Sequence, residues 1–99
     1  MDEMTYIKRI LKSYPIIKRK PPEQRTRREQ RRIDGIETAI KDIETMRDGE
    51  QIKLMIKRVY FTKTHTLYGA ALLVPVSERT VKRWNRIAIE TVSKVFDLP

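Results

Sequence analysis

The apolar residues of the chain recur at steps of three and four positions, the spacing that places side chains on one face of an α-helix. This pattern predicts five helices, at residues 4–14, 23–47, 50–61 and 67–73 and in a last segment that begins after Ser77 and runs to Phe96. No segment shows the strict alternation of apolar and polar residues that is typical of a strand. The fold class is therefore predicted as all-α.

Proline and glycine mark the predicted breaks between helices. Pro15 is expected to end the first helix at Tyr14, because the residue before a proline leaves the α region. Residues 16–22 then form a basic linker closed by two prolines, and Pro22 suits the first position of the next helix. Asp48 and Gly49 form a turn dipeptide before the third helix. Three parts are predicted, namely a short helix with its linker at 1–22, a longer helix at 23–47 and a DNA-binding part at 48–99.

The C-terminal segment predicts a helix-turn-helix. Pro75 stops the apolar helix at 67–73 because it has no backbone N–H, and Ser77 is a natural N-cap for the following helix. One stripe of that helix is apolar: Val81, Trp84, Ala88, Val92 and Val95. Four cations occupy the other side: Arg79, Lys82, Arg83 and Arg86. This arrangement indicates either a helix that enters the DNA major groove or a merely solvated charged face.

The helix predicted at 23–47 has a polar first half and an apolar second half. Five arginines stand in the first half: Arg25, Arg27, Arg28, Arg31 and Arg32. They would repel one another in isolation, which favours an anionic partner, and we expect them to contact phosphates. The second half carries a seam of Ile33, Ile36, Ala39 or Ile40, Ile43 and Met46. This seam either packs inside the domain or pairs two copies of the chain into a homodimer.

Composition narrows the classes of function. The 99 residues carry a net charge of +9, which favours a polyanion, either nucleic acid or an anionic membrane surface. A membrane partner is not expected, because no long apolar run is present. The chain has no cysteine and one histidine, His65, so we predict no enzyme activity, no catalytic residues, no cofactor and no metal site. The N-terminus lacks the apolar region of a signal peptide, so a cytoplasmic location is expected.

Three stretches carry a resemblance to a known family. They are Val-Tyr-Phe at 59–61, LYGAALL at 67–73 and VSERTVKRW at 76–84, with a weaker echo in LKSYPI at 11–16. Residues 50–96 resemble the C-terminal half of phage late-transcription regulators of the RinA/ArpU type, whose end is similar to the promoter-reading region of bacterial sigma factors. One position departs from the family, which usually has glycine where this chain has Pro75.

The resemblance implies a sequence-specific DNA-binding protein that regulates late or packaging genes of a phage in a bacterial cell. The base-reading positions it implies are Ser77, Glu78, Arg79, Lys82, Arg83 and Arg86. Two other classes stay open: a small terminase-like subunit that delivers DNA to a packaging motor, and a sigma-like protein that acts by binding RNA polymerase.

Overall fold

The computed structural model describes residues 3–62, 69 and 76–96. The α-helices whose bounds fall within these residues are α1 (Glu3–Lys18), α2 (Arg27–Glu44), α3 (Gly49–Ile56) and α4 (Glu78–Val95). A 3-10 turn at Pro22–Gln24 precedes α2, and a π-helical segment at Lys57–Phe61 continues α3. Within these residues no strand occurs, and the all-α prediction is confirmed.

One hydrophobic core joins all four helices. Its most buried side chains include Ile7, Leu11, Ile36, Ile43, Ile52, Ile56, Tyr60, Val81, Trp84 and Val92. The N-terminal helix, α1, is part of this core, and α2 contacts each of the other three helices. The seam of α2 is therefore covered inside a single copy of the chain, although Met46 at its end is exposed.

The prediction that the first helix ends at Tyr14 was wrong, because α1 continues through Pro15 to Lys18. Pro15 cannot donate a hydrogen bond to the preceding turn, which weakens the helix locally. Tertiary contacts offset this loss. Ile17 is buried beyond the proline, and the Tyr14 ring stacks on Phe61 with 4.6 Å between centroids. The Tyr14 hydroxyl also donates to Glu37 at 2.8 Å.

Helix α2 begins at Arg27, four residues later than predicted, because Thr26 forms a capping box with Glu29. The Thr26 hydroxyl accepts from the Glu29 N–H at 3.1 Å, and the Glu29 carboxylate accepts from the Thr26 N–H at 2.9 Å. Pro22 occupies the first position of the 3-10 turn before it.

Two glycines mark close approaches in the fold. Gly35 lies inside a continuous α2, and a Cβ atom there would stand 2.5 Å from the Phe96 ring. Gly49 lies in the turn that Asp48 and Gly49 were predicted to form, and a Cβ atom there would collide with the carbonyl oxygen of Ile43. Asp48 caps α3 in the left-handed conformation with φ of 61°. The chain thus needs glycine at 49 to bring α3 back against α2.

The predicted helix at 50–61 is present as α3 and the π segment, which bury Ile52, Met55, Ile56 and Tyr60 in the core. The π segment ends where the Thr62 N–H donates to the Lys57 carbonyl at 2.8 Å. The predictions of a polar loop at 62–66, a helix at 67–73, a turn at Pro75 and a frayed tail at 97–99 fall largely or wholly outside the described residues. His65 lies outside them too.

Candidate nucleic-acid interface

The candidate interface is built on α4, whose start is fixed by a side-chain cap. The Ser77 hydroxyl accepts a hydrogen bond from the Thr80 N–H at 3.2 Å, as predicted for an N-cap. Glu78 follows as the first helical residue and places a carboxylate at the positive end of the helix dipole. The cap therefore fixes where α4 begins.

The inner face of α4 holds the helix rigidly on the domain. Val81, Trp84, Ala88 and Val92 are all buried, so the predicted stripe is confirmed, with Val95 half-buried at its end. The buried Asn85 side chain accepts a hydrogen bond from the Tyr60 hydroxyl. Burial raises the pKa of Tyr60 to about 12, so this hydroxyl keeps its proton at neutral pH. α4 is thereby fixed to the π segment.

The outer face of α4 carries the four predicted cations, Arg79, Lys82, Arg83 and Arg86, all exposed. Their spacing is i, i+3, i+4 and i+7, which places them on one side of a helix. We call this surface the α4 basic face. It lies opposite the buried stripe, so the guanidinium and ammonium groups project away from the core.

Few carboxylates neutralise the α4 basic face. Lys82 lies 3.4 Å from Glu78 and Arg86 lies 4.0 Å from Glu90, and all four side chains are about half exposed or more. Exposed pairs of this kind contribute little and separate readily in favour of another anion. Within the described part of the chain, Arg79 and Arg83 have no carboxylate partner within 4 Å.

Side chains from two other elements border the α4 basic face. An open cavity of about 420 Å³ is lined by Arg47, Asp48, Arg83, Trp84 and Ile87. A second, of about 310 Å³, is lined by Met4, Lys82, Arg83, Asn85 and Arg86. The turn after α2 thus places one cation, Arg47, and one carboxylate, Asp48, in the same cavity as Arg83. The sequence places Arg47 next to a turn but gives no sign of its contact with α4, so the sequence reasoning missed it.

Arg25, the first of the predicted phosphate contacts, has a role inside the fold. Its guanidinium donates to the carbonyls of Lys20 at 3.1 Å and Lys18 at 3.2 Å, and to the Gln30 side chain at 3.1 Å. These bonds join the end of α1 to the start of α2. Arg25 is half-buried, and its donors are largely occupied.

The other arginines of the run lie on α2 and divide into two groups. Arg27 is exposed and lines none of the cavities described here. Arg28, Arg31 and Arg32 line an open cavity of about 340 Å³ together with Tyr6, Ile10 and Phe96. Phe96 follows the end of α4, so these arginines lie near the opposite end of α4 from Arg79.

Neither a metal site nor a membrane span is found in the described ranges. Residues 3–62, 69 and 76–96 contain no group of three His, Cys, Asp or Glu side chains that could hold a metal ion. In the same part of the chain, no helix is both long and apolar enough to cross a membrane. Comparison of the chain with family models, with curated proteins and with solved structures found no match.

Proposed function

We propose that this protein binds double-stranded DNA through the α4 basic face and acts as a phage transcriptional regulator of late or packaging genes. The observation that carries the DNA-binding proposal is the placement of four exposed cations on one side of a helix whose other side is anchored in the core. A rigid helix of this kind can enter the major groove, where arginine pairs with guanine through two hydrogen bonds. The regulatory role rests on the resemblance of residues 76–84 to phage regulators.

Ser77 and Glu78, at the start of α4, are expected to support DNA binding indirectly. The Ser77 hydroxyl is already bound to the first turn of α4, and Glu78 lies beside Lys82. They are expected to orient the helix and Lys82 respectively, while Arg79, Arg83 and Arg86 reach the bases. Arg47 lines the same cavity as Arg83, and we propose that it contacts a backbone phosphate there.

One helix of this kind reads only a few base pairs, so specific binding is expected to use two copies on half-sites about one DNA turn apart. The α2 seam cannot join such copies without leaving the core, because its isoleucines are covered within one chain. Pairing on DNA would therefore use a different surface. Light scattering of the protein with and without duplex DNA measures this stoichiometry.

The test of duplex binding compares two variants with the same loss of charge. In one, Arg79, Lys82, Arg83 and Arg86 become Gln. In the control, four exposed cations elsewhere, Arg9, Lys12, Lys41 and Lys57, become Gln. Each lost phosphate contact flattens the slope of log K against log salt by about 0.9. We expect the first variant to lose up to about 3.6 of that slope, at 0.9 for each of four contacts, and the control to lose much less.

Two results would count against the proposal. The first is equal loss in both variants, which would mean that net charge alone attracts DNA. The second is wild-type protein that fails to bind duplex DNA at low salt.

Selection of duplexes from a random pool tests sequence readout, because Arg83→Ala should relax the preferred sequence at one position.

A further inference from the structure

Near the C-terminal end of α4, a groove combines arginines with aromatic rings. We call it the arginine groove, and its lining residues are Tyr6, Ile10, Arg28, Arg31, Arg32 and Phe96. The Tyr6 side chain is 41% exposed although its ring is large and apolar. The groove therefore offers an accessible ring beside cations that come from a different helix.

The three arginines of the groove carry charge that the fold does not neutralise. Arg28, Arg31 and Arg32 share one side of α2 by their i, i+3, i+4 spacing. Among the side chains that the structure describes, at 4–62, 69 and 76–96, none of the three has a carboxylate within 4 Å. Of the acids nearest in sequence, Glu29 pairs with Lys20 at 2.7 Å, and the exposed Asp34 accepts a hydrogen bond from the Gln30 amide at 2.9 Å. An anion is thus expected to supply the missing charge.

The arginine groove is separate from the α4 basic face. Glu90 continues the line of cations along α4 and places an exposed carboxylate after Arg86. Phe96 lies ten residues beyond Arg86, about 15 Å farther along the helix axis at 1.5 Å per residue. Because the groove lies beyond this stretch and is formed by α1 and α2 as well as by α4, it can hold a second ligand while a duplex occupies the basic face.

We propose that the arginine groove binds single-stranded nucleic acid, with a base stacked on Tyr6 and backbone phosphates held by Arg28, Arg31 and Arg32. Proteins that bind single strands combine these two elements, because every base has a face that stacks on an aromatic ring and every nucleotide has a phosphate. The site goes beyond the proposed duplex binding and does not depend on it. Single-stranded DNA and RNA share this chemistry.

The test measures binding of labelled oligo-dT and oligo-U of about ten nucleotides, a length within the usual site size of single-strand binding folds. Tyr6→Ala and Tyr6→Leu should each weaken binding about tenfold or more, whereas Tyr6→Phe should bind like wild type. Replacing Arg28, Arg31 and Arg32 together by Gln should flatten the salt slope by about 2, at about 0.7 per single-strand phosphate. Replacing Lys12, Lys41 and Lys57 together by Gln removes the same charge outside the groove and is the matched control.

Tyr6→Leu keeps an apolar side chain but removes the aromatic ring. It therefore distinguishes a ligand with a base stacked on Tyr6 from an acidic peptide. If Tyr6→Leu binds the oligonucleotides as well as wild type does, the ring does not stack on a base and the proposal is wrong. It is also wrong if wild type binds neither oligonucleotide, or if the α4 quadruple variant abolishes single-strand binding while Tyr6→Ala does not. The preference between oligo-dT and oligo-U assigns the strand to DNA or RNA. A duplex measured in parallel keeps the two proposals distinct, since Tyr6→Ala should leave duplex binding unchanged.

Discussion

The arginine run at 25–32 and the cations at 79–86 have similar charge in the sequence, yet the two helices use them differently. In α4 all four cations lie on one exposed side of the helix. In and before α2 the five arginines divide among three places: Arg25 binds carbonyls of the linker, Arg27 points into solvent, and Arg28, Arg31 and Arg32 line a groove. Positive charge density alone therefore does not define a binding surface.

The difference comes from where each helix begins. Ser77 starts α4 ahead of its first cation, so Arg79 and the cations after it all follow one helical phase. Thr26 starts α2 inside the arginine run, which leaves Arg25 outside the helix and free to fold back on the linker. The N-cap at Thr26 thus separates Arg25 from the four arginines that follow it in α2.

The largest effect is expected from a substitution that disrupts the inner face of α4 and leaves its outer face intact. Trp84→Ala should lower the free energy of unfolding by about 3–5 kcal/mol, because Trp84 is 3% exposed and its removal leaves a cavity. Arg83→Ala, next to it on the outer face, should change stability by less than about 0.5 kcal/mol and weaken duplex binding. Urea unfolding followed by circular dichroism measures both. A large loss of stability for Arg83→Ala would contradict the assignment of the two faces.

A smaller effect should appear at high pH, where the bond that fixes α4 to the π segment weakens. The pKa of Tyr60 is about 12 in the folded protein against an ordinary value of 10.0. Because the pKa of Tyr60 is higher in the folded protein than in the unfolded chain, the protonated hydroxyl contributes its full stabilisation below pH 10. This contribution is lost as the pH rises through 12. Two pKa units correspond to about 2–3 kcal/mol.

Urea unfolding at pH values on either side of this range measures the loss. Tyr60→Phe should remove its share of the pH dependence and should cost stability at neutral pH, because Asn85 loses its hydrogen-bond donor. The pKa of Tyr14 is also raised to about 12, by burial and by its hydrogen bond to Glu37. Tyr14→Phe is therefore the second variant needed to divide the effect between the two tyrosines. A stability that stayed constant up to pH 12 would contradict both assignments.

The smallest expected effect is a difference in stability between substitutions of two arginines of the 25–32 run, Arg25 and Arg27. Arg25→Gln should destabilise the fold by about 1–2 kcal/mol, because it removes hydrogen bonds from a charged donor to two backbone carbonyls. Arg27→Gln should be close to neutral, since Arg27 is exposed on the helix surface. Thermal unfolding of the two variants beside wild type gives the answer. Equal stability would mean that the Arg25 bonds are not needed to hold the linker.

Much of the fold follows from local patterns in the sequence. Apolar residues spaced three and four positions apart are sufficient to locate the helices. Ser77 and the Asp48–Gly49 pair mark helix ends because each has a specific backbone role. The Thr-x-x-Glu signature of the α2 capping box was also present at 26–29, but the polar residues before it made the helix look longer. A helix boundary that is set by a side-chain cap can therefore be predicted from the sequence when the cap motif is recognised.

The remaining features depend on contacts between distant residues. Local rules end α1 at Pro15, and only the stacking of Tyr14 on Phe61 and the burial of Ile17 explain why it continues. The approach of Arg47 to Arg83 depends on the packing of α2 against α4, which no local pattern encodes. The same is true of Tyr6 beside the arginines of α2. The outer face of α4 was predictable, while its borders and the arginine groove were not.

The burial of Trp84 has a practical consequence for studies of this protein. It is the only tryptophan in the chain, and it lines the cavity that also contains Arg47 and Arg83. Its indole emission is thus an intrinsic optical probe behind the α4 basic face, twelve residues before the Phe96 that lines the arginine groove. A ligand on the α4 basic face should change that emission without any attached dye, whereas a ligand in the arginine groove should leave it nearly constant.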